Sequence, residues 1–275
     1  MDKEINMEVD KYYLDSLSGY TSILEKSIVT SHSTSNLEAG DRRYWASIIF
    51  TRICTFSVSI LYLCPKSKIN PKVLHYDFGA IASLTRNLFE CGLTLFYLGV
   101  EHISNDEWLT RLKVMQLNDC ISRIRMHKEF DPDYPELKLA EKDAEELRSN
   151  LNKNPFFLSI PEKKRKRFLK GDDASILTRG EVLKRMGAIW EGDTRGYYIF
   201  LSSHIHSFPL GYYRMAEHGR GSGVENDVEK GYIASALEFC TNILTRCTDD
   251  MRKIFSDIVK FPLEDTYDWN ILMRQ

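Results

Sequence analysis

The chain has 275 residues, 43% of them hydrophobic and 28% charged. That is enough to bury one large core or two small ones, and it excludes a disordered or fibrous class. Its formal net charge of −2 excludes an overall pull toward nucleic acid or anionic membrane, so any such partner must be argued from a local patch.

The N-terminal stretch MDKEINMEVDKYYLDSL is charged from its second residue and lacks the apolar run of a secretory signal, so a cytoplasmic protein is expected. Apolar residues at helical spacing from 8 to 30, among them Val9, Tyr13, Leu17, Tyr20 and Leu24, predict a first helix that ends in the polar loop SHSTSNLEAGD. A second helix runs from Arg43 to Leu63 and stops at Pro65. Within it, Ala46 to Cys64 is long enough to span a bilayer. Arg52 and several hydroxyls make a buried core helix the expected reading instead, with no membrane partner.

The third helix, from about Gly79 to Val100, is the most apolar of the chain. A fourth covers 105 to 130, with Trp108, Leu112, Met115, Cys120 and Ile124 on or near one face, and DPDYPEL breaks it. From Leu137 to Gly171 the composition shifts to Lys, Glu and Arg, which reads as a protruding, charged helical insertion within one domain of residues 1 to 275. Helical signal resumes at 179–190 and 194–207, and a long amphipathic stretch follows from Val224 to Phe261. Alternating strand patterns and Asn-Gly hairpins are absent from the sequence. The expected fold is all-α, a bundle of roughly six to eight helices.

Six cysteines (Cys54, Cys64, Cys91, Cys120, Cys240, Cys247) lie mostly in apolar helical stretches and form no C-x-x-C pair. Reduced, buried thiols are expected, with neither a metal site nor a cofactor.

Polar residues inside apolar helices single out a candidate site, because an ionisable group on a core face is costly unless paired. Arg86 and Glu90 stand four apart and face the same way, with Ser83 and Tyr97 near the same stripe. One reading is an ion pair that fixes helix register. The other makes Arg86 an anion clamp, since its planar fork suits phosphate or carboxylate, with Glu90 as orienting partner or general base. In YYIFLSSHIH the spacing Y-x3-S-x3-H aligns Tyr198, Ser202 and His206, with Arg195 one turn earlier. His204 points about 160° from His206 on a helix, so the two share no metal. An imidazole is the side chain most often used for acid–base work, which keeps a catalytic reading of His206 open, and a hydrogen-bonded core histidine is the plainer reading. Ser202 lacks the G-x-S-x-G elbow of an exposed nucleophile.

The run KKRKR, Lys163 to Arg167, could meet nucleic-acid phosphates. Neighbouring acids and the lack of interleaved aromatics favour a solvated face. The glycine-rich HGRGSG, His218 to Gly223, lacks the G-K-[ST] ending of a phosphate loop and reads as a flexible loop that could act as a lid.

Asp77, Arg86, Glu90, Tyr198, Ser202 and His206 resemble the pattern of an uncharacterised, mostly bacterial all-helical family. That family carries an aspartate, then R-x3-E in an apolar helix, then a tyrosine-serine-histidine stripe. The resemblance covers about Trp45 to Pro209, leaves the first helix and the charged insertion outside, and implies one pocket shared by the two helices. The architecture also resembles HEPN-type helical ribonucleases of toxin or phage-defence systems, which cut RNA without metal using R-x4-6-H. The spacing does not match: eight residues separate Arg195 from His204, and three separate Arg123 from His127 and Arg214 from His218.

Three functions are carried forward. The leading one is a small anionic or nucleotide-like ligand bound by Arg86, Glu90, Tyr198, Ser202 and His206, in a sensor or effector. The second is metal-independent phosphodiester cleavage with His206 and Glu90 as catalytic groups. The third is an interaction scaffold acting through residues 137–171.

Overall fold

A computed structural model describes residues 2–72, 74–131, 134–187, 193–206, 208–213, 215, 219–262 and 266–273. Among these the chain is all-α, as expected. The elements are α1 (Asp2–Ser33), α2 (Asp41–Leu63), α3 (Phe78–Leu95), α4 (Asn105–Phe130), α5 (Leu137–Lys153), α6 (Pro155–Ser159), α7 (Glu162–Leu169), α8 (Arg179–Met186), α9 (Asp193–Ile205), α10 (Pro209–Tyr213), α11 (Asp227–Ile254) and α12 (Asn270–Met273). The third helix ends earlier than its apolar run suggests, because α3 passes into a π-helical turn at Phe96–Val100. The far end of the helix expected at 179–190 lies outside the described residues beyond 187.

Several starts are fixed by side chains that take up the orphan N–H groups of the first turn. Asp77 accepts from the Ala80 amide at 3.0 Å, and Ser104 accepts from Glu107 at 3.2 Å. Asn226 accepts from both Val228 and Glu229, at 2.9 and 3.3 Å.

The contacts divide the chain into two compact units, residues 1–100 with 183–275, and residues 101–182. In the first, α1 lies along α11 and α2, and α3 packs on α2, α9 and α11. Tyr13, Tyr20 and Leu24 of α1 meet this core fully buried. Burying a phenol requires a partner for its hydroxyl. Tyr20 accordingly donates to the Ser57 carbonyl at 2.9 Å, and Tyr13 donates to that of Pro65 at 2.6 Å. Ser27 and Thr248 share a 2.8 Å hydrogen bond across α1 and α11. The helix α2 is the one described helix long and apolar enough to cross a membrane. Its buried face carries Ala46, Phe50, Ile53, Ile60 and Leu61, while the Arg52 guanidinium sits 4.1 Å above the Phe56 ring on the exposed side.

The second unit pairs α4 with α5 and closes with α6 and α7. Val114, Leu117, Cys120 and Ile124 of α4 form its core with Leu137, Ala144, Leu151, Phe157 and Phe168. The charged segment 137–171 thus has an inner apolar face of its own, and its charges lie outward. Within the KKRKR run, Lys166 pairs with Glu162 at 2.7 Å and Arg167 with Asp173 at 2.8 Å. Deeper in the unit, Arg111 is fully buried and holds Glu101 and Glu107, each at 2.6 Å.

All six thiols are free, five buried and Cys91 half-buried. Burial raises the pKa of each, in Cys54 and Cys240 to about 12.

Candidate functional site

The periodicities of α3 and α9 bring four of the five singled-out residues together. Arg86 donates through Nε to Ser202 Oγ at 3.2 Å and through Nη2 to the Tyr198 hydroxyl, and its Nη1 lies 3.0 Å from Glu90 Oε1. The guanidinium carbon also sits 4.0 Å from the centre of the Tyr198 ring, a cation–π contact. Ser202 spends its own proton on the Tyr198 carbonyl at 2.7 Å, so its oxygen is held as an acceptor facing Arg86. Phe89 lies beside Tyr198, with ring centres 6.2 Å apart. Side-chain exposure is 15% for Arg86 and 35% for Glu90, so the pair borders water rather than lying in the core.

His206 occupies the exposed turn just after α9, with its amide on the Ser202 carbonyl at 3.3 Å and its ring 5.4 Å from that of Phe208. Arg195 is exposed in the first turn of α9. Asp77 serves as the N-cap of α3.

A second polar concentration lies in the same unit, where residues 75–79, the end of α9, the 219–223 segment and the start of α11 enclose a cleft of about 180 Å³. His75, Asp77, Phe78, His204, Arg220 and Glu229 are among its lining residues. Arg220 and Glu229 pair at 3.5 Å with each side chain only 4% exposed, and Arg220 stacks 4.4 Å from the Tyr232 ring centre. Glu229 Oε1 also accepts from the Gly221 amide at 3.1 Å.

The 219–223 part of HGRGSG is tied down rather than loose, while His218 lies outside the described residues. The Tyr76 amide donates to the Gly223 carbonyl at 3.0 Å. Gly223 has φ +78°, and a Cβ there would fall 2.2 Å from the His75 ring. Only glycine permits both the backbone conformation and this approach. Reading α9 as a stripe through His206 passed over His204, Arg220 and Glu229. The available signals were the alternating glycines at 219, 221 and 223 and an acid three residues after the Asn226 cap.

His204 is half-buried, with Nδ1 3.0 Å from the Phe200 carbonyl and its ring edge-on to Phe78 and Phe200. A carbonyl only accepts, so Nδ1 carries the proton and Nε2 of the neutral ring remains an acceptor. Burial is the main cause that lowers the His204 pKa below its usual 6.5, with the Arg220 charge acting in the same direction. An unfolded chain therefore takes up a proton here before the folded one does. The stability contributed by neutral His204 is complete above about pH 6.5 and is lost as pH falls below that value. Urea unfolding at pH 7.5 and 5.0 should show the wild type weakening more than His204→Asn; equal weakening would remove His204 as the cause.

No group of three or more metal-ligating side chains occurs among the described residues. What fold and site define together is an all-α protein with an arginine-centred polar cluster in the seam of two helices and a lined cleft in the same unit. The chain belongs to the family of unknown function DUF5677, whose model matches residues 43–222. No curated protein and no solved structure gives a significant match. The matched range holds Asp77, Arg86, Glu90, Tyr198, Ser202 and His206. It also runs through the charged segment 137–171, which the sequence reading placed outside its resemblance. α1 and α11 lie beyond it.

Proposed function

We propose that the α3–α9 seam binds a small anionic or nucleotide-like ligand in a cytoplasmic sensor or effector, with Arg86 as the anion-holding group. One observation carries this reading: the Arg86 fork is oriented by Ser202 and Tyr198, while its counter-charge is the more exposed Glu90. A guanidinium fixed in place loses little freedom when it meets phosphate or carboxylate, and a carboxylate at the water's edge can turn away to admit one. Tyr198 and Ser202 orient the fork, and Glu90 acts as the competitor that an anion displaces. His206, one turn beyond Ser202, stands at the exposed end of the same helix.

Titration with inorganic phosphate, pyrophosphate and AMP, followed by thermal unfolding and calorimetry, tests the proposal. The wild type is expected to be stabilised by at least one of these anions, and Arg86→Gln is expected to lose the effect. Glu90→Gln, which removes the competing charge, should bind the anion about tenfold more tightly, a gain of about 1.4 kcal/mol. An anion response unchanged in Arg86→Gln would sink the assignment. RNA cleavage in excess EDTA that disappears in a folded His206→Ala variant would replace it with the nuclease reading.

A further inference from the structure

Helix α2 packs one face into the core and leaves the other bare. Between Arg43 and Lys66 the only charged residue is Arg52, whereas the solvent face of an ordinary surface helix is polar and charged. Only 39% of its most apolar stretch is buried, and Tyr44, Ile48 and Tyr62 are 58%, 44% and 57% exposed.

The bare face carries a two-fold symmetry in its sequence. Tyr44 and Tyr62, Ser47 and Ser59, and Thr51 and Thr55 each lie equally far on either side of Ile53, as do Ile48 and Val58. At about 100° per residue, Tyr44 and Tyr62 point in one direction, opposite the fully buried Ile53. Thr51 and Thr55 fall within about 20° of that direction, and Ile48 and Val58 within about 40°. Arg52 stands about 80° aside, laid over the Phe56 ring at the edge of the face.

The hydroxyls on this face are already satisfied. Thr51 donates to the Ser47 carbonyl at 2.9 Å, Thr55 to that of Thr51 at 2.9 Å, and Ser59 to that of Thr55 at 3.1 Å. With these protons spent inside the helix, the threonines can meet an apolar surface without stranding a donor. Their small size at the middle of the face admits a second helix at the close-packed spacing of about 8–10 Å.

The area sets the strength. A helix of 23 residues is about 34 Å long, and half of its roughly 10 Å-wide cylinder gives a face of about 500 Å². Two such faces cover about 1,000 Å², the lower bound for a specific interface, which places the association in the micromolar range.

We infer that α2 is the contact of an antiparallel homodimer whose two-fold axis passes at the level of Ile53. An isologous contact sets residue i on j and j on i, which is what pairs equidistant from one residue provide. Tyr44 then meets Tyr62 of the second copy, and Thr51 meets its Thr55. A different protein or a bilayer places no such demand on the sequence.

Sedimentation velocity of the full chain from about 1 to 200 μM tests the contact. The wild type is expected to pass reversibly from monomer to dimer, and Thr55→Arg, at an exposed position, to raise the dissociation constant by about tenfold or more with circular dichroism unchanged. Oxidative cross-linking tests the geometry. A mixture of Tyr44→Cys and Tyr62→Cys should give a disulfide-linked dimer above the wild-type background, and neither variant should do so alone, because antiparallel helices hold the two copies of position 44 about 27 Å apart. A monomer at every concentration, a dimer that Thr55→Arg leaves unchanged, or Tyr44→Cys linked to itself would each overturn the inference. Co-sedimentation of a monomeric chain with phosphatidylcholine vesicles would assign the face to lipid instead. Neither arm involves Arg86, so the anion reading can stand or fail without changing the result.

Discussion

Arg111→Ala is expected to destabilise residues 101–182 by about 3–5 kcal/mol, the usual cost of removing one partner from a buried charge network. Arg111 is fully buried between Glu101 and Glu107, both at 2.6 Å and each only 15% exposed. Without the guanidinium, two largely buried carboxylates lose the cation they share. An exposed pair of the same unit, Lys166–Glu162, supplies the contrast, since helical pairs in water contribute only about 0.3–0.5 kcal/mol. Urea unfolding of Arg111→Ala and Glu162→Ala measures both. The triple variant Arg111→Met, Glu101→Gln, Glu107→Gln, which removes all three charges together, should recover much of the loss. A cost for Arg111→Ala near that of Glu162→Ala would mean that the network is hydrated in solution.

Gly99→Val should cost about 1–3 kcal/mol by overpacking. Gly99 lies in the π-helical turn that ends α3, where a Cβ would come 2.8 Å from the Ala46 Cβ and 3.3 Å from its Cα. The second atom is backbone, so α2 itself must move to make room. Ala46→Gly removes one of the two obstacles, and the double variant should therefore lose less than the sum of the singles. Strict additivity in thermal unfolding would show that the two residues do not meet.

The individual helices were largely legible because their determinants are local. Pro65 and the polar stretch after residue 33 bound α2, and Asn105–Phe130 follows directly from its apolar periodicity. The Arg86–Glu90–Tyr198–Ser202 contact was half legible. A period of 3.6 puts Arg86 with Glu90 and Tyr198 with Ser202, while the cost of desolvating an unpaired charge and the family resemblance suggested that the two stripes meet. What joins distant segments escaped this reading. Nothing local says that α1 lies along α11, or that an exposed-looking RGSG segment carries an arginine buried against Glu229. The charged segment 137–171 looked peripheral because its polar residues outnumber the apolar ones, yet Leu137, Ala144, Leu151, Phe157 and Phe168 pack it on the inner face of α4.

The inaccessible cysteines give the protein a built-in clock for its own breathing. A thiol shielded from solvent and disfavoured as thiolate reacts with an alkylating probe only during the moments when its surroundings open, so modification of each site reads out a local opening equilibrium under native conditions. Cys120 then reports on residues 101–182, while Cys54, Cys64, Cys240 and Cys247 report on the remainder. Mass spectrometry of partially alkylated samples would show whether the two regions loosen together or on separate schedules.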